Sequence, residues 1–127
     1  MPSILYVDDE ADIREIVQMA LELDPTITLR LCASGVEALA LQAAGEPAPD
    51  LLLLDVMMPD MDGPTTLLRL RENPAWSERP AVFMTARAQA ADRERLLALG
   101  AVGVIVKPFD PMRLGSEVLA YIEGRSG

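Results

Sequence analysis

The amino-acid sequence predicts an α/β fold, a doubly wound five-stranded parallel sheet covered by five helices, and three observations carry that expectation. Short apolar runs recur roughly every twenty to thirty residues along the chain. Those runs have no polar face, as strands covered on both sides require. Between them lie amphipathic stretches at helical spacing, and such an alternation with short connections closes as a three-layer sandwich.

The first strand is expected at residues 3–7, the second at 27–32, the third at 51–54, the fourth at 81–84 and the fifth at 102–106. Ile13, Ile16, Val17, Ala20 and Leu21 mark the apolar stripe of the first helix, and Val36, Leu39, Ala40 and Ala43 that of the second. The third helix should open near Gly63 and Pro64, where proline suits the first turn, and stop before Asn73 and Pro74. A fourth runs from about residue 90 to 99 and ends at Gly100. The fifth starts near Pro111 with Met112, Leu114, Val118, Leu119 and Ile122 turned inward. One domain over residues 1–123 is expected. The end of the chain, Ile122-Glu123-Gly124-Arg125-Ser126-Gly127, resembles a protease-recognition and linker sequence, and the tail at 124–127 is read as an addition to the domain.

Composition narrows the function. The 127 residues suffice for one core, half of them are apolar, and 24% are charged, which excludes a disordered chain. Eleven basic against twenty acidic residues leave a formal charge of −9. With a pI near 4.4 and no basic block, the surface should repel phosphate backbones and anionic lipid, so neither nucleic acid nor membrane is an expected partner. No apolar run approaches the ~20 residues of a membrane span, and the N-terminus lacks the features of a secretory signal; a cytoplasmic protein is expected. The lone Cys32 lies in an apolar run and reads as core.

Ligands of doubly wound sheets bind beyond the carboxyl ends of the strands. Standing there are Asp8, Asp9 and Glu10 after the first strand, Asp55 after the third, Thr85 and Ala86 after the fourth, and Lys107 and Pro108 after the fifth. Clustered carboxylates repel one another unless a cation lies among them. Oxygen donors without histidine or thiol favour Mg²⁺, with Mn²⁺ the alternative, and disfavour zinc. An aspartate can also act as a nucleophile toward a phosphoryl group, whose charge the cation and an ammonium would neutralise. Lysine usage sharpens this, because Lys107 is the single lysine in a chain with ten arginines. A compact ammonium has been kept where a strand ends beside the acids.

Four segments in order, Val7-Asp8-Asp9-Glu10, then residues 54–63 (Leu54-Asp55-Val56-Met57-Met58-Pro59-Asp60-Met61-Asp62-Gly63), then Met84-Thr85-Ala86, then Val106-Lys107-Pro108-Phe109, resemble the receiver domains of two-component response regulators. The resemblance spans essentially the whole chain. It implies the flavodoxin-like strand order 2-1-3-4-5 and a phosphoacceptor receiver rather than a conventional enzyme. Asp55 would be the phosphoacceptor, served by a histidine kinase or histidine phosphotransfer protein. Asp9, Asp55 and the backbone carbonyl of Met57 would ligate Mg²⁺ directly and Asp8 through water. Lys107 would pair with Asp55 and then with the phosphoryl group, from a cis Lys107–Pro108 peptide. Thr85 would move to hydrogen-bond the phosphoryl, Ala86 leaving room, and an unidentified protein effector would read the fifth strand and its flanking helices. The residue three before the lysine is usually aromatic in the family and here is Val104. The switch pair Thr85 and Val104 therefore departs from the family pattern, and the segment from Thr85 to Asp92 is expected to carry the change instead. Met57 and Arg87, two positions past the acceptor and the threonine, imply slow to moderate self-dephosphorylation.

Each residue also has a plainer role. Asp8 or Asp9 could cap the first helix, and Asp55 or Thr85 could be turn and cap residues. Asp60, Asp62 and Gly63 read as turn and helix-start residues, and Met57, Met58 and Met61 as cover for the loop. A dehalogenase-type phosphatase would want a second acid where Met57 stands, and a flavin or nucleotide module a glycine- or hydroxyl-rich loop where the chain has Asp8-Asp9-Glu10. The remaining rivals keep the fold: a phosphorylation-independent pseudo-receiver, or the excised receiver of a longer response regulator or hybrid kinase. A stand-alone receiver is the expectation.

Overall fold

The computed structural model describes residues 2–87 and 89–124. Strands β1 (Ser3–Val7), β2 (Thr28–Cys32), β3 (Leu51–Asp55), β4 (Ala81–Thr85) and β5 (Gly103–Val106) alternate with helices α1 (Ala11–Glu22), α2 (Gly35–Ala43), α3 (Gly63–Leu70), α4 (Ala90–Ala98) and α5 (Pro111–Ile122). All strand pairs are parallel, and the order is β2-β1-β3-β4-β5, as the resemblance implies. Of the tail, residues 125–127 lie outside the described residues.

Side-chain alternation divides the core into two layers. Leu5, Val7, Leu52, Leu54, Phe83 and Val104 face one way and pack with Ala38 of α2, Leu67 and Leu70 of α3 and Leu96 of α4. Ile4, Tyr6, Leu51, Leu53, Met84 and Ile105 face the other way, onto Val17, Ala20 and Leu21 of α1 and Leu114 and Val118 of α5. Strands β1, β3 and β4 therefore read as nearly continuous apolar runs. The edge strand β2 is less buried, and its Arg30 pairs with Glu46 at 2.7 Å. Cys32 is core, as expected.

Three helices open on side-chain caps: Ser34 accepts from the amide of Glu37, Asp62 from Thr65 and Asp110 from Met112. Glu10 at the head of α1 makes no such bond. Two helical stripes differ from expectation. Val36 is 60% exposed, while Gly35 and Ala38 turn inward, because α2 follows α3 so closely that a Cβ on Gly35 would lie 2.2 Å from Thr66 Oγ1. Met112 is 78% exposed rather than inward; it stands in the first turn of α5 beside Leu23, and Leu114 and Val118 carry the buried stripe. Ile16 of α1 is also exposed.

Gly63 joins the fold to the site. Its amide donates to the Val56 carbonyl at 2.9 Å, and a Cβ there would sit 2.3 Å from the carbonyl oxygen of Asp55. The obstacle is backbone, so a side chain can be admitted only by moving α3 or the end of β3. Gly63→Ala is accordingly expected to cost about 1–3 kcal/mol, read in urea as a lower midpoint at unchanged slope.

Candidate functional site

The parallel registers bring the strand ends level, with Val7 beside Leu54, Asp55 beside Met84 and Thr85 beside Val106. The next residues on neighbouring strands therefore meet. Oxygens of Asp8, Asp9 and Asp55 lie within 4.8 Å of one another. Asp8 and Asp55 are buried, and Asp9 is exposed at the rim. Lys107 follows β5 through a cis peptide to Pro108, its amide donating to the Thr85 carbonyl. Its Nζ donates to Asp55 Oδ1 at 2.6 Å and lies 3.3 Å from Asp8 Oδ2.

Asp8 is held on all sides. Its amide donates to the Cys32 carbonyl, its Oδ1 accepts from the Glu10 amide at 3.0 Å, and its Oδ2 accepts from the Tyr6 hydroxyl at 2.5 Å. Arg14 of α1 donates to its carbonyl oxygen at 2.7 Å. Thr85 Oγ1 accepts from the amide of Arg87 at 3.0 Å, a local turn that leaves its own proton available. Ala86 is exposed, and a surface concavity lined by Ala86, Arg87, Gln89 and Asp92 opens beside it. Met57 is 69% exposed and Met58 buried, so only the latter packs under the loop. Val104 is buried in the α2–α4 layer. Of the segment from Thr85 to Asp92, Ala88 lies outside the described residues.

Burial first, together with the charges of Asp8 and Asp9, pushes the Asp55 carboxyl up to about 6, against the opposing hydrogen bond and charge of Lys107. Burial works against the Lys107 ammonium, but its bonds and attraction to Asp55 and Asp8 outweigh this and raise it. Burial and the Asp8 carboxylate raise the Tyr6 hydroxyl far above its ordinary range, so it remains a neutral donor. Three carboxylates against one ammonium leave local charge uncompensated. All three offer hard oxygen donors within reach of a common centre, so the residues fit a divalent cation.

The model of the response regulator receiver domain family matches residues 4–119. The chain belongs to that family. The receiver domain is 39% identical over 112 residues to response regulator Rre1 of Synechocystis sp., covering 88% of this chain and 48% of Rre1. It is 38% identical over 119 residues to the phosphate regulon transcriptional regulatory protein PhoB of Escherichia coli, covering 94% and 51%. Among solved structures, the chemotaxis response regulator CheY4 of Vibrio cholerae superposes with a TM-score of 0.83 at 31% identity, over 96% of this chain and 98% of that one. The receiver domain spans about half the length of Rre1 and PhoB.

Receivers of this family are signalling modules that work with histidine kinases or phosphotransfer proteins. Relatives named as transcriptional regulators match over about half their length. The expected absence of nucleic acid, read from net charge, therefore gains no support from the family. No helix among the described residues is long and apolar enough to cross a membrane.

The pocket unites Asp8, Asp9, Asp55 and Lys107, with Thr85 at the end of the adjoining strand. Asp8 does not cap α1 with its side chain in the usual way: its Oδ1 reaches the Glu10 amide, and the N-cap itself is Glu10. Asp62 is indeed the helix-start residue of α3, and Asp60 is a turn residue with a φ of 68°. Sequence reasoning overlooked Tyr6 and Arg14. Tyr6 could have been found from strand periodicity, since residues 6 and 8 share a face.

Asp55 has a consequence for stability. A carboxyl that titrates near 6 when folded and at 3.8 otherwise binds more protons in the native state between those values, so stability falls as pH rises through that window. Above it the penalty is complete. In chelator-treated protein the urea midpoint should fall from pH 4 to pH 7, and Asp55→Asn should flatten that slope and exceed wild type in stability at pH 8.

Proposed function

We propose that this receiver domain accepts a phosphoryl group on Asp55 from a phosphohistidine of a kinase or phosphotransfer protein. The observation that carries the proposal is the pairing of the chain's single lysine with a buried aspartate, 2.6 Å apart, inside a cluster of three carboxylates. An Asp55 oxygen attacks phosphorus as the N–P bond to the imidazole breaks, and the imidazole leaves with its electron pair and takes up a proton. The product is an acyl phosphate. Asp9, Asp55 and the Met57 carbonyl would hold Mg²⁺, with Mn²⁺ as a substitute, and Asp8 would bind through water. The cation supplies charge neutralisation for the incoming phosphoryl.

The protein's own groups do the rest. Lys107 neutralises Asp55 before transfer and follows the new charge onto a phosphoryl oxygen afterwards, a short motion for a flexible stem. Thr85 has a hydroxyl proton to donate to a second oxygen, and the small Ala86 leaves space beside it. Met57 offers no group to orient an attacking water, which supports slow to moderate loss of the phosphoryl. No separate substrate is turned over.

For the phosphodonor, the flank of α1 and α5 is the favoured contact. Ile16 and Met19 of α1 and Leu23 at its C-cap are exposed apolar side chains, and Met112 of α5 lies beside Leu23. Thr85 and the segment toward Asp92 would carry the change to an effector at β5 and its flanking helices. A cytoplasmic location accords with such a role.

The test is intact mass after incubation with Mg²⁺ and acetyl phosphate. One added phosphoryl is expected in wild type, and none in Asp55→Asn or without the cation; no addition from acetyl phosphate or from a phosphohistidine protein, with the protein folded, would overturn the proposal. Millimolar Mg²⁺ alone should raise the melting temperature of wild type, because it binds the native state and relieves the repulsion among Asp8, Asp9 and Asp55. Asp9→Asn should abolish most of that rise.

A further inference from the structure

Tyr6 is fully buried near the carboxyl end of β1, two residues before Asp8 and so on the same face of the strand line. Nothing in the phosphoacceptor chemistry requires a phenol there. Yet its hydroxyl reaches along the strand to Asp8 Oδ2, the same oxygen that Lys107 Nζ approaches at 3.3 Å. The remaining bonds to Asp8 are made elsewhere on the residue: Oδ1 takes the Glu10 amide, and Arg14 takes the backbone carbonyl. Oδ2 therefore has two donors competing for it, and Asp8 has no solvent exposure through which water could replace either.

We infer that Tyr6 is a positioning residue: by occupying Asp8 Oδ2 it fixes the rotation of that carboxylate and leaves the single lysine to Asp55. The asymmetry of the ammonium, 2.6 Å from Asp55 and 3.3 Å from Asp8, is what such a division produces. Without the phenol, Lys107 is the one remaining side-chain donor to Oδ2 among the described residues, and a buried carboxylate oxygen short of a donor draws the nearest one. Lys107 then moves toward Asp8 and away from Asp55, and the carboxylate turns with it. A group that orients a ligating or water-bridging carboxylate in this way usually matters to cation affinity by about 10–100-fold. The inference rests on the cation and phosphoacceptor reading above and deepens it.

Because the chain contains one lysine, its side chain gives a single Nζ and a single Cε resonance, free of overlap. In cation-free Tyr6→Phe that resonance is expected to move from its wild-type position, and calorimetric titration with MgCl₂ is expected to give a Kd about tenfold weaker. An unmoved lysine resonance, or a Kd within twofold of wild type, overturns the proposal. A wild type that binds no Mg²⁺ overturns the cation reading and this inference with it, an outcome distinct from failure of the variant alone. If Tyr6→Phe does not fold, the wild type still decides. Its two tyrosines, Tyr6 and Tyr121, give separate ring resonances. Mg²⁺ should shift that of Tyr6 and leave that of Tyr121, and a Tyr6 signal indifferent to saturating Mg²⁺ overturns the proposal.

Discussion

Two buried carboxylates, a third at the rim and one ammonium share the end of a sheet, and the rest of the fold is arranged around that cost. Removing like charges from water is unfavourable, and replacing a buried ion pair by apolar residues often stabilises a protein. The cluster is tolerated because every other element near it is over-determined. Strands β1, β3 and β4 are apolar or aromatic but for Ser3, Asp55 and Thr85 and run in continuous register, so their packing holds the ends level without help from the charges. No helix takes Asp8, Asp9 or Asp55 as its N-cap: α2, α3 and α5 open on Ser34, Asp62 and Asp110, and α1 opens on Glu10 without a side-chain cap bond.

Topology explains why the cluster forms where it does. From β1 the chain turns into α1 on one side of the sheet, and from the adjacent β3 it turns into α3 on the other. The two loops part at this point and leave a crevice between them, the general location of ligand sites in doubly wound sheets. Lys107 enters from β5, two strands from β3, with a side chain long enough to reach Asp55 past the end of β4.

Much of this was legible in the sequence because it rests on local rules. Apolar runs without alternation identify buried parallel strands, proline at a first turn opens α3 and α5, and residues at strand ends can be enumerated. The acids and the lone lysine were visible for that reason. Less legible was anything set by how neighbours pack. Of the α2 stripe Leu39 packs against the core, but Val36, Ala40 and Ala43 are exposed and Gly35 and Ala38 take the buried face, because Ala, Leu and Val populate several faces of this helix and the choice is made by the close approach of Thr66 on α3 to Gly35. Period alone places Met112 inward, whereas in the first turn of α5 it is exposed beside Leu23. Tyr6 escaped notice because a tyrosine in a strand satisfies the apolar pattern, and the destination of its hydroxyl is a tertiary fact.

The contact of Gly63 with the carbonyl of Asp55 links the acceptor to a whole helix. The first residue of α3 rests on the peptide that carries the acceptor, with no side chain between them to absorb displacement. Coupling free energies are reciprocal. If charge on Asp55 alters the seating of α3, a protein that grips α3 must alter the affinity of Asp55 for its charge partners by the same factor. In thermodynamic terms the acceptor and the second-layer helix are one two-port element, readable from either end.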